Sequence, residues 1–471
     1  MRIKVKNLGV IDEADIILNP LTILIGPNNA GKTWLAASIG SILGPYGWLQ
    51  YLEAYSTNKI QDIYPMLDTA IEQILDGGDA TIDLVQFVEQ YGETYLNNVA
   101  RLAKQWMRTF MGTALVDFVH LDFHINLSEE EKEKAKVEVA KYAMNRHFAV
   151  GRGKRNPQLN ILKETGNPGM YIYTSTDDGT TVKTPRQAIR SFLARSVFEA
   201  LYSVFFSDKS FFPTERTTYI TYPFEVEEIR PEVSLGKEKP LRERRGKALN
   251  GPTSMFLSMI YDIHQMTLLE RKEREEAAKN DIAINNYIRL AQLLEEIIGG
   301  TINLPDPEPG TQREIIFRVT DSIALEIPIA SSMVKELSSL VLYLRYLAEE
   351  GDWLIIDEPE MNLHPEAQVK IMEFLTILVN AGLRVLITTH SPYMLDHLEN
   401  LIRAAEYDEE DQKAIAGEFF LRRKDAFIAR QDMSIYLVDH KKAENILQGD
   451  RINWGTFGDI SDQVAKLHYQ L

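Results

Sequence analysis

The chain has 471 residues, 45% of them hydrophobic, which is enough for two or three domains and a substantial core. It contains no cysteine, which excludes disulfides, thiolate metal sites and a cysteine nucleophile, and its net charge of −17 argues against charge-driven binding of nucleic acid by the chain as a whole. No apolar run reaches the length of a membrane span, and the N-terminal residues carry charge every few positions, unlike a secretory signal, so a cytoplasmic protein with no membrane partner is expected.

Residues 2–7 alternate in character, and residues 14–18 follow a break at Gly9-Val10, so the start predicts a hairpin. Residues 21–25 then predict a short buried strand. It runs directly into Gly26-Pro27-Asn28-Asn29-Ala30-Gly31-Lys32-Thr33, after which residues 34–43 predict a helix. Gly26, Gly31, Lys32 and Thr33 satisfy every fixed position of the Walker A pattern, in the strand-loop-helix context that a phosphate cradle requires. The two glycines let backbone N–H groups approach phosphates, and the helix N-terminus adds a favourable dipole. Lys32 is expected to reach the β and γ phosphates and the Thr33 hydroxyl to ligate magnesium, which makes ATP and Mg2+ the expected cofactors.

Residues 45–304 read as a large, aromatic, helix-rich insertion. Within it Ser128 and Glu131 form a capping box that opens a charged helix to about His147, and residues 253–298 hold one long helix or two. Residues 151–157 and 174–184 carry turn residues and read as loops or small hairpins. Lys237, Lys239, Arg242, Arg244, Arg245 and Lys247 make one locally basic run, which either tracks a phosphate backbone or is a solvated loop; nucleic acid stays open as a partner.

Beyond the insertion, residues 315–319 and 323–329 predict strands and residues 334–350 a helix. Residues 353–356 predict a buried strand ending at Asp357, residues 365–381 a helix, and residues 384–388 a second buried strand ending at Thr389-His390. This alternation predicts an α/β fold with a mostly parallel sheet and chemistry at the strand C-terminal ends. The predicted head comprises residues 1–44 and 305–397, split by the insertion, from which a segment near 210–222 is open to returning to the head, with residues 398–471 as a C-terminal extension. Leu354-Ile355-Ile356-Asp357-Glu358 has the Walker B form: Asp357 is expected to hold magnesium and Glu358 to orient or deprotonate the attacking water. His390, one strand further on, is placed to hydrogen-bond the γ-phosphate.

These three motifs, in this order, resemble the ABC-class ATPases of the chromosome-maintenance and recombination type. The run Glu358-Pro359-Glu360-Met361-Asn362-Leu363-His364-Pro365, with residues 387–392 and Phe212-Pro213-Thr214-Glu215-Arg216, is similar to the overcoming-lysogenisation-defect-type ATPases of bacterial anti-phage systems. The resemblance implies a dimer or higher oligomer in which one head's P-loop faces a signature segment of the other. That segment falls at Ala330-Ser331-Ser332-Met333-Val334-Lys335, which keeps serines at a helix start but lacks Leu-Ser-Gly-Gly; Ser332 and Lys335 are its expected γ-phosphate contacts, with a plain helix cap and a solvated lysine as the alternative. Asn362 and His364 occupy the place of the interface-crossing loop, with a polar turn before the helix at Pro365 as the alternative, and Arg216 is expected to return to the head near the nucleotide. The sequence carries no nuclease signature, so a nuclease or toxin effector is expected to be separately encoded. A DNA-repair or chromosome-associated clamp is the competing reading.

Overall fold

Apolar runs with no polar alternation mark strands covered on both faces, and the strands that bear the motifs have this character. The computed structural model describes residues 1–149, 158–175, 185–205, 209–221, 249–305, 314–448, 451–452 and 466. The basic run at residues 237–247 and most of the turn segments at 151–157 and 174–184 lie outside them. The chain forms two units: residues 1–6, 41–107 and 118–208, and residues 7–40, 108–117 and 209–471.

The second unit carries every motif. Its sheet runs in the order Ile11–Ile17, Lys442–Asn445, Met433–Asp439, Leu21–Ile25, Arg384–Thr389, Trp353–Asp357, Lys209–Phe212. The last five of these strands are mutually parallel, with Leu24 opposite Thr388, Asp357 opposite Thr388, and Ile356 opposite Phe212. Met433–Asp439 returns antiparallel as Lys442–Asn445 through a two-residue turn in which His440 and Lys441 both have positive φ. The fold class is therefore α/β with a large mixed sheet, and residues 209–304 group with the motif-bearing residues, both the segment near 210–222 expected to return to the head and the rest, read from the sequence as insertion.

Period-two geometry sends alternate side chains to opposite faces of this sheet. Leu21, Ile23, Ile25, Leu354, Ile356, Val385, Ile387, Met433 and Ile435 join one core with the helices Gly251–Gln265, Ile282–Ile298, Ser332–Tyr346, Pro365–Asn380 and Pro392–Ala405. Ile355, on the opposite face, meets the helix Lys32–Ile42, where a Cβ at Gly40 would come within 2.6 Å of the Ile355 Cδ1. The P-loop helix is thus seated on the Walker B strand by a glycine. Residues 253–298 are not one or two helices but fall within three: Gly251–Gln265, Leu268–Asn280 and Ile282–Ile298. Thr267 and Asp281 each accept backbone N–H groups as N-caps and so divide them.

The first unit contains the helices Pro45–Ser56, Pro65–Leu75, Leu84–Arg101, Glu129–Lys141 and Arg186–Phe205 around an aromatic core of Tyr51, Tyr55, Tyr64, Tyr95 and Phe198. It also holds a four-stranded antiparallel sheet in the order Ala80–Asp83, Gly169–Ser175, Gln158–Lys163, Met144–Ala149, which helical periodicity did not predict. The capping box at Ser128 and Glu131 is present, but its helix ends at Lys141 rather than near His147. Lys163 explains the early stop: its buried ammonium donates to the carbonyls of Ala140, Tyr142 and Glu164 and gathers the helix C-terminus onto the sheet.

Candidate nucleotide-binding site

The loop between the Leu21–Ile25 strand and the Lys32–Ile42 helix turns through positive φ at Gly26, Asn29 and Gly31. Gly26 has a second, steric requirement: a Cβ there would lie 2.1 Å from the Val438 carbonyl oxygen of the neighbouring C-terminal strand. Pro27, Asn28 and Asn29 are exposed at the rim, Ala30 and Gly31 are half-buried, and Lys32 is 5% exposed. The Lys32 Nζ donates to the Gly26 and Pro27 carbonyls at 2.8 and 3.0 Å. Burial holds its pKa below the ordinary lysine value, against the opposing pull of Glu358, Asp357 and Glu360.

Asp357 ends the Walker B strand and gathers hydroxyls from three directions. Thr33 donates to its Oδ1 and Oδ2 at 2.9 and 3.0 Å, Thr214 to Oδ2 at 2.6 Å, and Thr388 to Oδ1. The Walker A hydroxyl and the Walker B carboxylate therefore meet across 324 positions of sequence. This all-oxygen set fits a hard divalent cation, and the P-loop backbone and Lys32 beside it fit a polyphosphate.

Glu358 follows with φ +51, a left-handed backbone that sets its side chain away from that of Asp357. Its N–H donates to both the carbonyl and the hydroxyl of Thr388 at 3.1 Å. Burial raises the Glu358 pKa, Asp357 and Glu360 raise it further, and His390 and Lys32 oppose them. The His390 Nδ1 lies 3.4 Å from the Glu358 Oε1 and 3.8 Å from the Glu360 Oε1.

Glu360 is the residue that sequence reasoning missed. Its buried Oε1 accepts from the Thr389 hydroxyl at 2.6 Å and from the His390 N–H at 2.8 Å, so it fixes the turn that presents the imidazole. The Thr214 and Thr388 contacts on Asp357 were equally unmarked; a threonine ending an apolar strand level with the Walker B aspartate was the available signal.

Ser332 and Lys335 stand differently. Ser331, not Ser332, caps the Ser332–Tyr346 helix, accepting from the Val334 N–H at 3.4 Å. Ser332 is exposed, and the Lys335 Nζ donates to the Pro328 carbonyl at 2.8 Å. No hydrogen bond joins either to the P-loop among the described residues. His364 caps the Pro365–Asn380 helix through its Nδ1, while the Asn362 side chain points inward to Glu336 at 2.8 Å.

The Walker A strand, the histidine-ending strand and the Walker B strand stand side by side in one sheet, and their side chains converge at one end of it. A family model described as "AAA domain, putative AbiEii toxin, Type IV TA system" matches residues 263–396, a span that contains Asp357 and His390 but not the Walker A loop. Among solved structures, the chain is similar to the SMC head bound to the C-terminal winged-helix domain of ScpA, at 11% identity and TM-score 0.35, covering 84% of this chain and 90% of that one. It is also similar to the Smc head with an extended coiled coil bound to the C-terminal domain of ScpA from Pyrococcus furiosus, at 10% identity and TM-score 0.36, covering 98% of both chains. For the SMC head from Thermotoga maritima the values are 10% and 0.28, with 84% and 90% covered. At such scores these are likenesses only. No curated protein matches the chain.

Proposed function

We propose that the protein binds ATP with magnesium and hydrolyses it to ADP and phosphate, and that its ATP-dependent dimer or higher oligomer regulates a separately encoded effector, a nuclease or toxin, in bacterial anti-phage defence. The observation that carries the chemistry is the convergence of the Thr33 hydroxyl and the Asp357 carboxylate, with Lys32 and Glu358 beside them. Magnesium held by Thr33 and Asp357 would supply positive charge to the phosphates and polarise them.

The chain's own residues account for the remaining roles. Lys32 exchanges its two loop carbonyls for phosphate oxygens, and its burial strengthens that charge interaction. The Glu358 carboxylate accepts a hydrogen bond from water and then its proton; the raised pKa that burial gives it makes it a stronger base than an exposed glutamate. His390, held through its backbone by Glu360, presents its ring to the γ-phosphate. Ser332 and Lys335, free of the P-loop in their own subunit, serve as contacts from a partner head. The regulatory role is supported by the resemblance of the 358–365 and 212–216 runs to anti-phage ATPases and by the toxin–antitoxin description of the family model.

The test is capture in the native host of tagged E358Q protein with ATP, with K32A as the control. A stoichiometric protein that is lost in K32A is expected. DNA alone, in place of a protein, would overturn the effector reading in favour of a clamp.

A further inference from the structure

Beneath the site lies a buried cation that the nucleotide chemistry does not use. Arg216 opens the short helix Arg216–Thr221, just past the Lys209–Phe212 strand that pairs in parallel with the Walker B strand, and is 2% exposed. Its guanidinium donates to the Pro213 carbonyl at 3.0 Å, to the Asp357 carbonyl at 2.9 Å and to the Glu358 carbonyl at 3.0 Å. The Nε pairs with the Glu336 Oε2 at 2.7 Å, and the other oxygen of that buried carboxylate accepts from Asn362 at 2.8 Å. Glu336 lies one turn into the Ser332–Tyr346 helix, and both Glu358 and Asn362 sit at positive φ, +51 and +57.

We propose, resting on the ATPase reading, that Arg216 is the positioning residue of hydrolysis, clamping the Asp357–Glu358 backbone so that the Glu358 carboxylate stays aimed at the attacking water. A non-glycine residue keeps a left-handed backbone only where its surroundings over-determine it. Glu358 is held at both ends, its N–H by Thr388 and its carbonyl by Arg216. Only a planar fork reaches two successive carbonyls and a carboxylate together; a lysine ammonium has neither the span nor the fixed geometry. A buried ion pair contributes little net stability, since desolvation offsets its attraction. Its placement on the backbone of the two acidic residues therefore points to alignment. Through Glu336 the same clamp ties that backbone to Asn362 and to the helix headed by Ser332.

The test measures steady-state turnover and Mg-ATP affinity on the full chain for wild type, R216K and E336Q. R216K is expected to lose at least about tenfold in kcat while its ATP Kd stays within about threefold of wild type, because a misaimed general base costs turnover and spares ground-state binding. E336Q leaves the carbonyl contacts and removes the charge anchor, so a smaller kcat loss, about threefold, is expected at unchanged Kd. Wild-type kcat in folded R216K, or kcat and affinity falling in equal proportion as in a general loss of structure, would overturn the positioning role. If R216K does not fold, E336Q decides: unchanged kcat overturns the proposal. A wild-type protein that shows no turnover would overturn the ATPase reading itself, an outcome distinct from turnover that is insensitive to R216K.

Discussion

Two carboxylates that are neighbours in sequence differ at the site because their backbones differ. Asp357 ends a strand in regular geometry among three threonine hydroxyls, whereas Glu358 turns through φ +51 into a partly buried pocket beside Glu360 and His390. Burial favours the neutral acid at Glu358, and the negative charges of Asp357 and Glu360 add to that preference. The carboxylate must be ionised to take a proton, so turnover is full above its raised pKa and falls as pH drops through it. The kcat/KM–pH profile, which reports the free protein, is therefore expected to show an acidic limb with its midpoint above the ordinary glutamate value of about 4.3. A limb at or below that value, in protein that stays folded, would contradict this assignment. The meeting of Thr33 and Asp357 was legible in the sequence because the Walker A and B patterns carry fixed spacing. Glu360 was not, because a buried acid after a Glu-Pro pair has no spacing signature. Glu336 left no trace of its own: beside Lys335 and before Ser338-Ser339 it reads as a solvated acid, and the structure pairs it with Arg216.

At the scale of elements, the C-terminal strand is what the sequence least foretold. Met433–Asp439 lies within residues 398–471, read only as a C-terminal extension, yet it pairs in parallel with the P-loop strand, Leu437 opposite Ile25, and its Val438 carbonyl closes against Gly26. Tyr436 and Met433 bind back to the N-terminal strand region: the Tyr436 hydroxyl accepts from the Ile17 N–H at 2.7 Å, and the Asn19 amide donates to the Met433 carbonyl at 2.8 Å. Long-range pairing of this kind joins segments more than 400 positions apart, and local periodicity carries no information about it. A chain truncated before Met433 is expected to lose Mg-ATP binding and to melt at a lower temperature, because the P-loop strand becomes an uncovered edge. Wild-type affinity in the truncated chain, measured by titration calorimetry, would show that the strand does not support the loop. The insertion's four-stranded sheet was hinted at only by the turn residues at 151–157 and 174–184, because its strands are short and helical spacing in the flanking segments masked them.

Across the whole molecule, the motifs converge because parallel strand order brings residues near 25, 212, 357 and 389 to the same end of one sheet, where strand C-termini present catalytic groups. The alternating pattern after residue 305 made this α/β arrangement readable, whereas the placement of Lys209–Phe212 beside Walker B depended on pairing that no single segment encodes. ATP hydrolysis by the purified chain with magnesium, compared between wild type, K32A and E358Q, tests the central claim most directly. Wild type is expected to turn over, K32A to lose nucleotide binding, and E358Q to bind ATP while losing at least about a hundredfold in kcat, the scale of a general base. Turnover in K32A equal to wild type, or undiminished turnover in E358Q, would contradict the account.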